Sequence, residues 1–292
     1  MKPTAFDYHA PATTAEAVSL LAQHGDGAKV LAGGQSLVPL LALRLTSFDH
    51  LIDLGGISEL QGIDASNGSV RIGAMTTQAA IERSVEVASA LPLLARATPF
   101  IGHFQIRNRG TIGGSLAHAD PAAEYPAVAL TLDAELEIVS PQGTRTVPAS
   151  QFFTGLWSTE LEEDNVLTAV KLPRWSGRCG FAIEEFARRH GDFAIAGATV
   201  AVELDGDDHV RRCHIGLLGL GATPERATEA EAALMNAHVD AVDAGEIGRL
   251  AMEPLESVPS DLHGSADYRR RVGAAVVERA WRTASKEARG AA

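Results

Sequence analysis

The chain has 292 residues, 46% of them hydrophobic and 21% charged, a globular balance long enough for two domains. Its formal net charge of −12 excludes a sequence-independent grip on nucleic acid, which depends on Lys and Arg displacing counterions. Two cysteines, Cys179 and Cys213, are too few for an iron–sulfur cluster and read as reduced thiols. With no apolar leader and no apolar run of about 20 residues, the expectation is a cytoplasmic protein without a membrane span.

In chain order, Thr13 and Glu16 have the spacing of a capping box and open a helix that stops at Gly25. A buried strand, Lys29-Val30-Leu31-Ala32, leads through two glycines to an apolar helix over about 36–45. Strands follow at 51–54 and 70–74, the second after an Asn67-Gly68 turn. Helices are predicted from Thr77 to about Val87, from Pro92 to Thr98 and from Asp120 to Leu132, with Pro121 in the first turn of the last. A strand is predicted over 134–139. The break at Pro173-Arg174-Trp175-Ser176-Gly177-Arg178 places a boundary between residues 1–175 and 176–292. Beyond it come strands over 194–204 and 210–220. A helix is expected after Thr223-Pro224-Glu225, and a last one over about 268–283. The order is not a regular βα alternation, so the predicted class is α+β.

Two glycine loops carry the chemistry. The first is Ala32-Gly33-Gly34-Gln35-Ser36-Leu37, the second Arg109-Gly110-Thr111-Ile112-Gly113-Gly114-Ser115-Leu116. Glycine lets a ligand approach the backbone, and successive N–H groups form an anion nest. Two such loops, each with small hydroxyl residues, suit a diphosphate held from two sides. The bland alternative is a pair of tight turns, since neither loop matches the dinucleotide or P-loop fingerprint. His118, Asp120 and Glu124 fit cofactor hydroxyls or helix caps better than a metal site or an acid–base pair, and no Ser/His/Asp set is legible. His190 and Asp192 read as a turn presenting Phe193, not as a catalytic dyad. Arg107 and Arg109 hold the second loop, face a partner or make ordinary surface salt bridges.

The segments AGGQSL at 32–37 and QIRNRGTIGGSLAHADPAAEYP at 105–126 resemble the FAD-binding medium subunits of the molybdenum hydroxylases. That family includes xanthine dehydrogenase, aerobic carbon monoxide dehydrogenase and bacterial nicotine and N-heterocycle dehydrogenases. The resemblance continues through Phe186–Ala194 and Gly219–Ala227. It implies a two-lobed FAD domain of the vanillyl-alcohol-oxidase (PCMH) type, with lobes of about 1–55 and 56–175, then a small α+β C-terminal domain. It also implies a role with no catalytic residue of its own in this chain. FAD here would take electrons from [2Fe–2S] clusters of a small subunit, while a large molybdopterin subunit transforms the substrate and an external acceptor reoxidises the flavin. A dimer of heterotrimers is the implied assembly.

By the same resemblance, residues 32–37 bind the diphosphate through backbone N–H groups. Thr111, Gly113, Gly114 and Ser115 do so from the other side. Ile101, Glu124 and Leu167 match positions contacting flavin or nucleotide, Glu124 accepting from a ribityl or ribose hydroxyl, and Phe193 lies near the isoalloxazine ring. Glu185 departs from the pattern, standing where relatives have lysine, and implies a lower flavin potential. The form of 117–126 resembles the nicotine and N-heterocycle members more than the carbon monoxide branch. The competing functions are a free-standing FAD-dependent oxidase and a vestigial nucleotide-binding module.

Overall fold

The computed structural model describes residues 2–66 and 68–290. The first unit is a small parallel sheet covered by a helix. Its elements are β1 (Asp7–His9), α1 (Thr14–His24), β2 (Ala28–Leu31), α2 (Leu37–Leu43) and β3 (His50–Asp53), in the strand order β1-β3-β2. Thr13 caps α1 by accepting from the Glu16 N–H, and Glu16 reaches back to the Ala12 N–H. Ala17, Val18 and Leu21 of α1 pack against Ile52 and Leu54, where the strand side chains alternate between faces.

The second unit is built on a five-stranded sheet. After β4 (Ile63–Asp64) and β5 (Ser69–Gly73) come five short helices: α3 (Gln78–Arg83), α4 (Val85–Ala90), α5 (Pro92–Ala97), α6 (Phe104–Arg107) and α7 (Ile112–His118). Then follow α8 (Glu124–Thr131), β6 (Glu135–Ser140), β7 (Gly143–Pro148), α9 (Ala149–Phe152), the small hairpin β8 (Phe153–Gly155) and β9 (Ser158–Thr159), and β10 (Val166–Pro173). The order β4-β5-β10-β6-β7 is antiparallel at each pairing. The turn expected at Asn67-Gly68 involves Asn67, which lies outside the described residues. The helix expected over 77–87 is two helices, because the Ser84 hydroxyl caps a fresh start by accepting from Val87 N–H. The helix expected from Asp120 begins only at Glu124: the Asp120 carboxylate accepts from Ala122 N–H and holds Pro121 in a turn.

The third unit is a four-stranded antiparallel sheet, β11 (Arg178–Phe186), β12 (Ala196–Leu204), β13 (Val210–Leu218) and β14 (Glu225–Arg226), with helices α10 (Thr228–Leu234), α11 (Ala244–Leu250) and α12 (Ala266–Gly290). No helix begins at Pro224. Glu225 and Arg226 instead pair with Leu217 and Gly216, and the helix starts at Thr228, where Arg226 makes a double contact with Glu231. The helix α12 buries Val276, Val277, Ala280, Trp281 and Ala284 on the sheet. Gly180 allows that packing, since a Cβ there would lie 2.7 Å from Ala288 N. Arg96 and Phe181 N–H both reach the Glu287 carboxylate, joining this unit to α5. The α+β class therefore holds. Among the described residues no helix is long and apolar enough to cross a membrane.

Candidate functional site

Tertiary packing brings the two glycine loops into contact. A Cβ on Gly33 would fall 2.1 Å from the Arg109 carbonyl oxygen and 2.7 Å from Gly110 Cα, so the loops touch backbone to backbone. A Cβ on Gly114 would sit 3.2 Å from Ala32 Cβ. Gly34 turns the first loop with a φ of +72°, a conformation that disfavours any side chain.

The loops differ in what their donors do. Among the described residues, the N–H groups of Gly33, Gly34, Gln35, Ser36 and Leu37 find no protein acceptor. The Ser36 hydroxyl makes no cap. Runs of consecutive free backbone donors are the kind of feature that binds anions. The second loop has spent its amides. Ile112 N–H donates to Thr76 O (3.1 Å) and Gly113 N–H to Ala74 O (2.8 Å). Gly114 N–H donates to Thr111 Oγ1 (3.0 Å) and Ser115 N–H to Thr111 O (3.1 Å). These residues form the capped first turn of α7, clamped to residues 74–78, where Gln78 N–H also donates to Gly110 O (2.8 Å). Thr111, buried, uses its hydroxyl oxygen as the cap of α7, while Ser115 is only partly buried. The first loop thus keeps its backbone donors free, while those of Ile112 to Ser115 are engaged within the protein.

Arg107 ties α3 to the 99–102 turn. Nine-tenths buried, it donates to both oxygens of Glu82 (2.9 and 3.1 Å) and to the carbonyls of Ile101 and Gly102. That fixes the turn carrying Ile101. The 189–193 turn closes on the same place: a Cβ on Gly191 (φ +88°) would lie 2.7 Å from His103 Cε1 and 3.0 Å from Gly102 O. This turn leaves the Phe193 ring 67% exposed. Ile101 and Phe193 are brought to one neighbourhood. Leu167 lies in the core on β10, one residue before Thr168, whose carbonyl accepts from Ala74 N–H beside Gly113. His118 ends α7, and burial lowers its pKa. Asp120 is a turn cap that also accepts from Trp157 Nε1 at 3.4 Å.

The electrostatics centre on two carboxyls. Glu124, at the start of α8, is 8% exposed; burial, then the charge of Glu185, pushes its pKa up to about 8. Burial pushes Glu185, on β11, up to about 7. Glu185 Oε2 is buried with no hydrogen-bond partner among the described residues. Both residues stand out in the sequence, but only the tertiary fold places Glu124 of α8 within the field of Glu185 of β11. Free backbone donors on one side, hydroxyls on the other and an orphaned carboxyl oxygen fit a ligand carrying a diphosphate and several hydroxyls, as FAD does.

The chain matches two family models along most of its length. The family described as the FAD binding domain in molybdopterin dehydrogenase matches residues 4–175, and the carbon monoxide dehydrogenase flavoprotein C-terminal domain matches 181–284. The alpha subunit of the 6-hydroxypseudooxynicotine dehydrogenase complex of Paenarthrobacter nicotinovorans is 41% identical, over 99% of this chain and 97% of that one. A chain of carbon monoxide dehydrogenase from Hydrogenophaga pseudoflava superposes with a TM-score of 0.95 at 40% identity, covering 98% of this chain and 99% of that one. A chain of quinoline 2-oxidoreductase from Pseudomonas putida gives 0.92 at 37% identity, covering 100% and 99%. On this length of agreement, in sequence and in fold, the chain belongs to the FAD-binding medium subunits of the molybdenum-dependent hydroxylases and dehydrogenases.

Proposed function

We propose that this chain passes electrons between [2Fe–2S] clusters of a small partner subunit and an external acceptor, within a heterotrimer whose large molybdopterin subunit transforms an N-heteroaromatic compound. FAD, when bound, supplies the step between two-electron and one-electron chemistry. The observation that carries the reading is the run of five unpaired N–H groups at 33–37 packed against the second glycine turn.

In this reading residues 32–37 hold the diphosphate, with N–H donors from Gly33 to Leu37. Thr111 and Ser115 add hydroxyl donors, while Gly113 and Gly114 let α7 approach without side chains. Glu124 meets a ribityl or ribose hydroxyl. Ile101 and Phe193 flank the ring, and Leu167 forms the wall behind the cradle. Residues 1–175 act as the FAD domain, in lobes of about 1–55 and 56–175, and 176–292 as the C-terminal domain. A dimer of heterotrimers in the cytoplasm completes the assignment. Support for an N-heteroaromatic substrate comes from relatives named for nicotine and quinoline chemistry, set against a carbon monoxide dehydrogenase medium chain of nearly equal identity (40% against 41%).

The test is co-expression with the neighbouring subunits, purification through a tag on this chain, and visible spectra before and after acid release. FAD over an iron–sulfur background is the expected result. Flavin without partners would favour a free-standing oxidase, and a folded protein without flavin would overturn the assignment.

A further inference from the structure

On the small parallel sheet the fold gathers three imidazoles that no sequence spacing announces. His9 lies on β1, His50 on β3 and His24 at the last position of α1, separated in sequence by 14 and 25 intervening residues. One ligand nitrogen from each lies within 4.8 Å of the others. His9 Nε2 and His50 Nδ1 are 3.2 Å apart. The ring centroids are 5.2 Å (His9–His24), 5.3 Å (His9–His50) and 3.7 Å (His24–His50) apart. All three side chains are partly exposed, so an ion could reach them from solvent.

The backbone fixes these positions. The parallel pairing sets Asp7 opposite His50 and His9 opposite Ile52, which puts Asp7, His9 and His50 on one face by the two-residue alternation of a strand. That face is the one α1 covers, because Ile52 is buried beneath Ala17 and Leu21. The helix stops at Gly25, whose N–H donates to Leu21 O with φ +53°, so His24 is set down over the sheet edge.

We propose that His9, His24 and His50 form a binding site for a divalent transition-metal ion of the zinc class. The geometry is close to what such an ion needs. Two nitrogens on a tetrahedral zinc, each at about 2.0–2.1 Å, sit about 3.3 Å apart, with ring centroids about 5 Å apart. The His9–His50 nitrogen separation and two of the three centroid distances already match. The third pair is stacked too closely, and a side-chain rotation of His24, which sits at a helix end, opens it. Imidazole donors suit zinc, copper, nickel and cobalt better than magnesium or calcium. The Asp7 carboxylate, 3.8 Å from the same His50 Nδ1, is available as a fourth ligand, leaving otherwise one open position. An ion here ties β1, α1 and β3 together. β3 is hydrogen-bonded to β2, which delivers the 32–37 loop, so metal binding stiffens the lobe that carries the amide array.

The test uses the full untagged chain with the flavin it retains, stripped of metal with a chelator and titrated with Co²⁺ and then Zn²⁺. The expected result is saturation at one equivalent, the visible bands of tetrahedral cobalt, loss of those bands as zinc displaces it, and a rise in Tm with zinc. His24→Gln weakens binding by more than about tenfold and removes the Tm rise, with circular dichroism and flavin spectrum unchanged. The Cu²⁺ adduct of the unsubstituted chain, read by electron paramagnetic resonance, shows splitting from nitrogen ligands and needs no variant. Non-saturable uptake, oxygen-only copper ligation, or unchanged affinity in a folded His9→Gln/His24→Gln/His50→Gln variant would overturn the assignment.

Discussion

Replacing Glu124 by Gln offers the sharpest check on the buried carboxyl pair. The Glu124 pKa rises from 4.5 to about 8 on folding, mainly through burial and then through Glu185. The folded state therefore holds a proton that the unfolded chain has released between pH 4.5 and 8. Stability falls as pH rises through that window, because the unfolded state binds fewer protons there. A shift of this size corresponds to a loss of about 5 kcal/mol at most, of which about 4 kcal/mol accrues by pH 7.5. Gln keeps the shape and removes the titration. In urea unfolding of the flavin-stripped chain, the variant should gain on the parent steadily from pH 5 to 8. A pH-independent difference between the two proteins would refute the reasoning, since Glu124 would then not be protonated in the fold.

Four further outcomes follow from the geometry. If cofactor hydroxyls donate to Glu124, bound FAD favours its ionised form, so FAD affinity should rise between pH 6 and 8 and lose that rise in Glu124→Gln, as read by fluorescence titration. Gly33→Ala drives a Cβ into the Arg109 carbonyl, a backbone clash costing about 1–3 kcal/mol or more, so a lowered Tm together with lost FAD retention is expected. Glu185→Lys should raise the flavin midpoint potential, with the larger change above pH 7, where Glu185 is ionised; a redox titration without change would sink the link between that residue and the ring. Native chain at pH 7.5 should resist iodoacetamide, because burial raises the Cys213 thiol strongly and pushes Cys179 up to about 11; fast labelling of either would contradict the burial.

Local signals were legible where the backbone itself carries them. Thr13 and Glu16 capped their helix as their spacing required, and Gly33-Gly34 turned the chain after its strand. Patterns failed where a distant partner decided. Thr223-Pro224-Glu225 has the look of a helix start, yet Glu225 and Arg226 add to the edge of β13, because strand pairing and the Arg226–Glu231 contact outweigh a local cap. The short helix α7 has the sequence of a loop, since two glycines weaken helix propensity; here Gly113 has to be small, because a Cβ would lie 2.4 Å from Ala74 Cβ.

By itself the sequence determined the α+β class, the family and the two glycine segments, since those depend on residue identity and spacing along the chain. Which amides stay free was decided only in three dimensions: Ala74 and Thr76 take up the Gly113 and Ile112 donors, Thr111 those of Gly114 and Ser115, and the first loop's stay free. The raised pKa values of Glu124 and Glu185 and the meeting of His9, His24 and His50 are tertiary facts too. Burial and proximity between residues far apart in sequence have no local signature, because they arise only when separate elements pack.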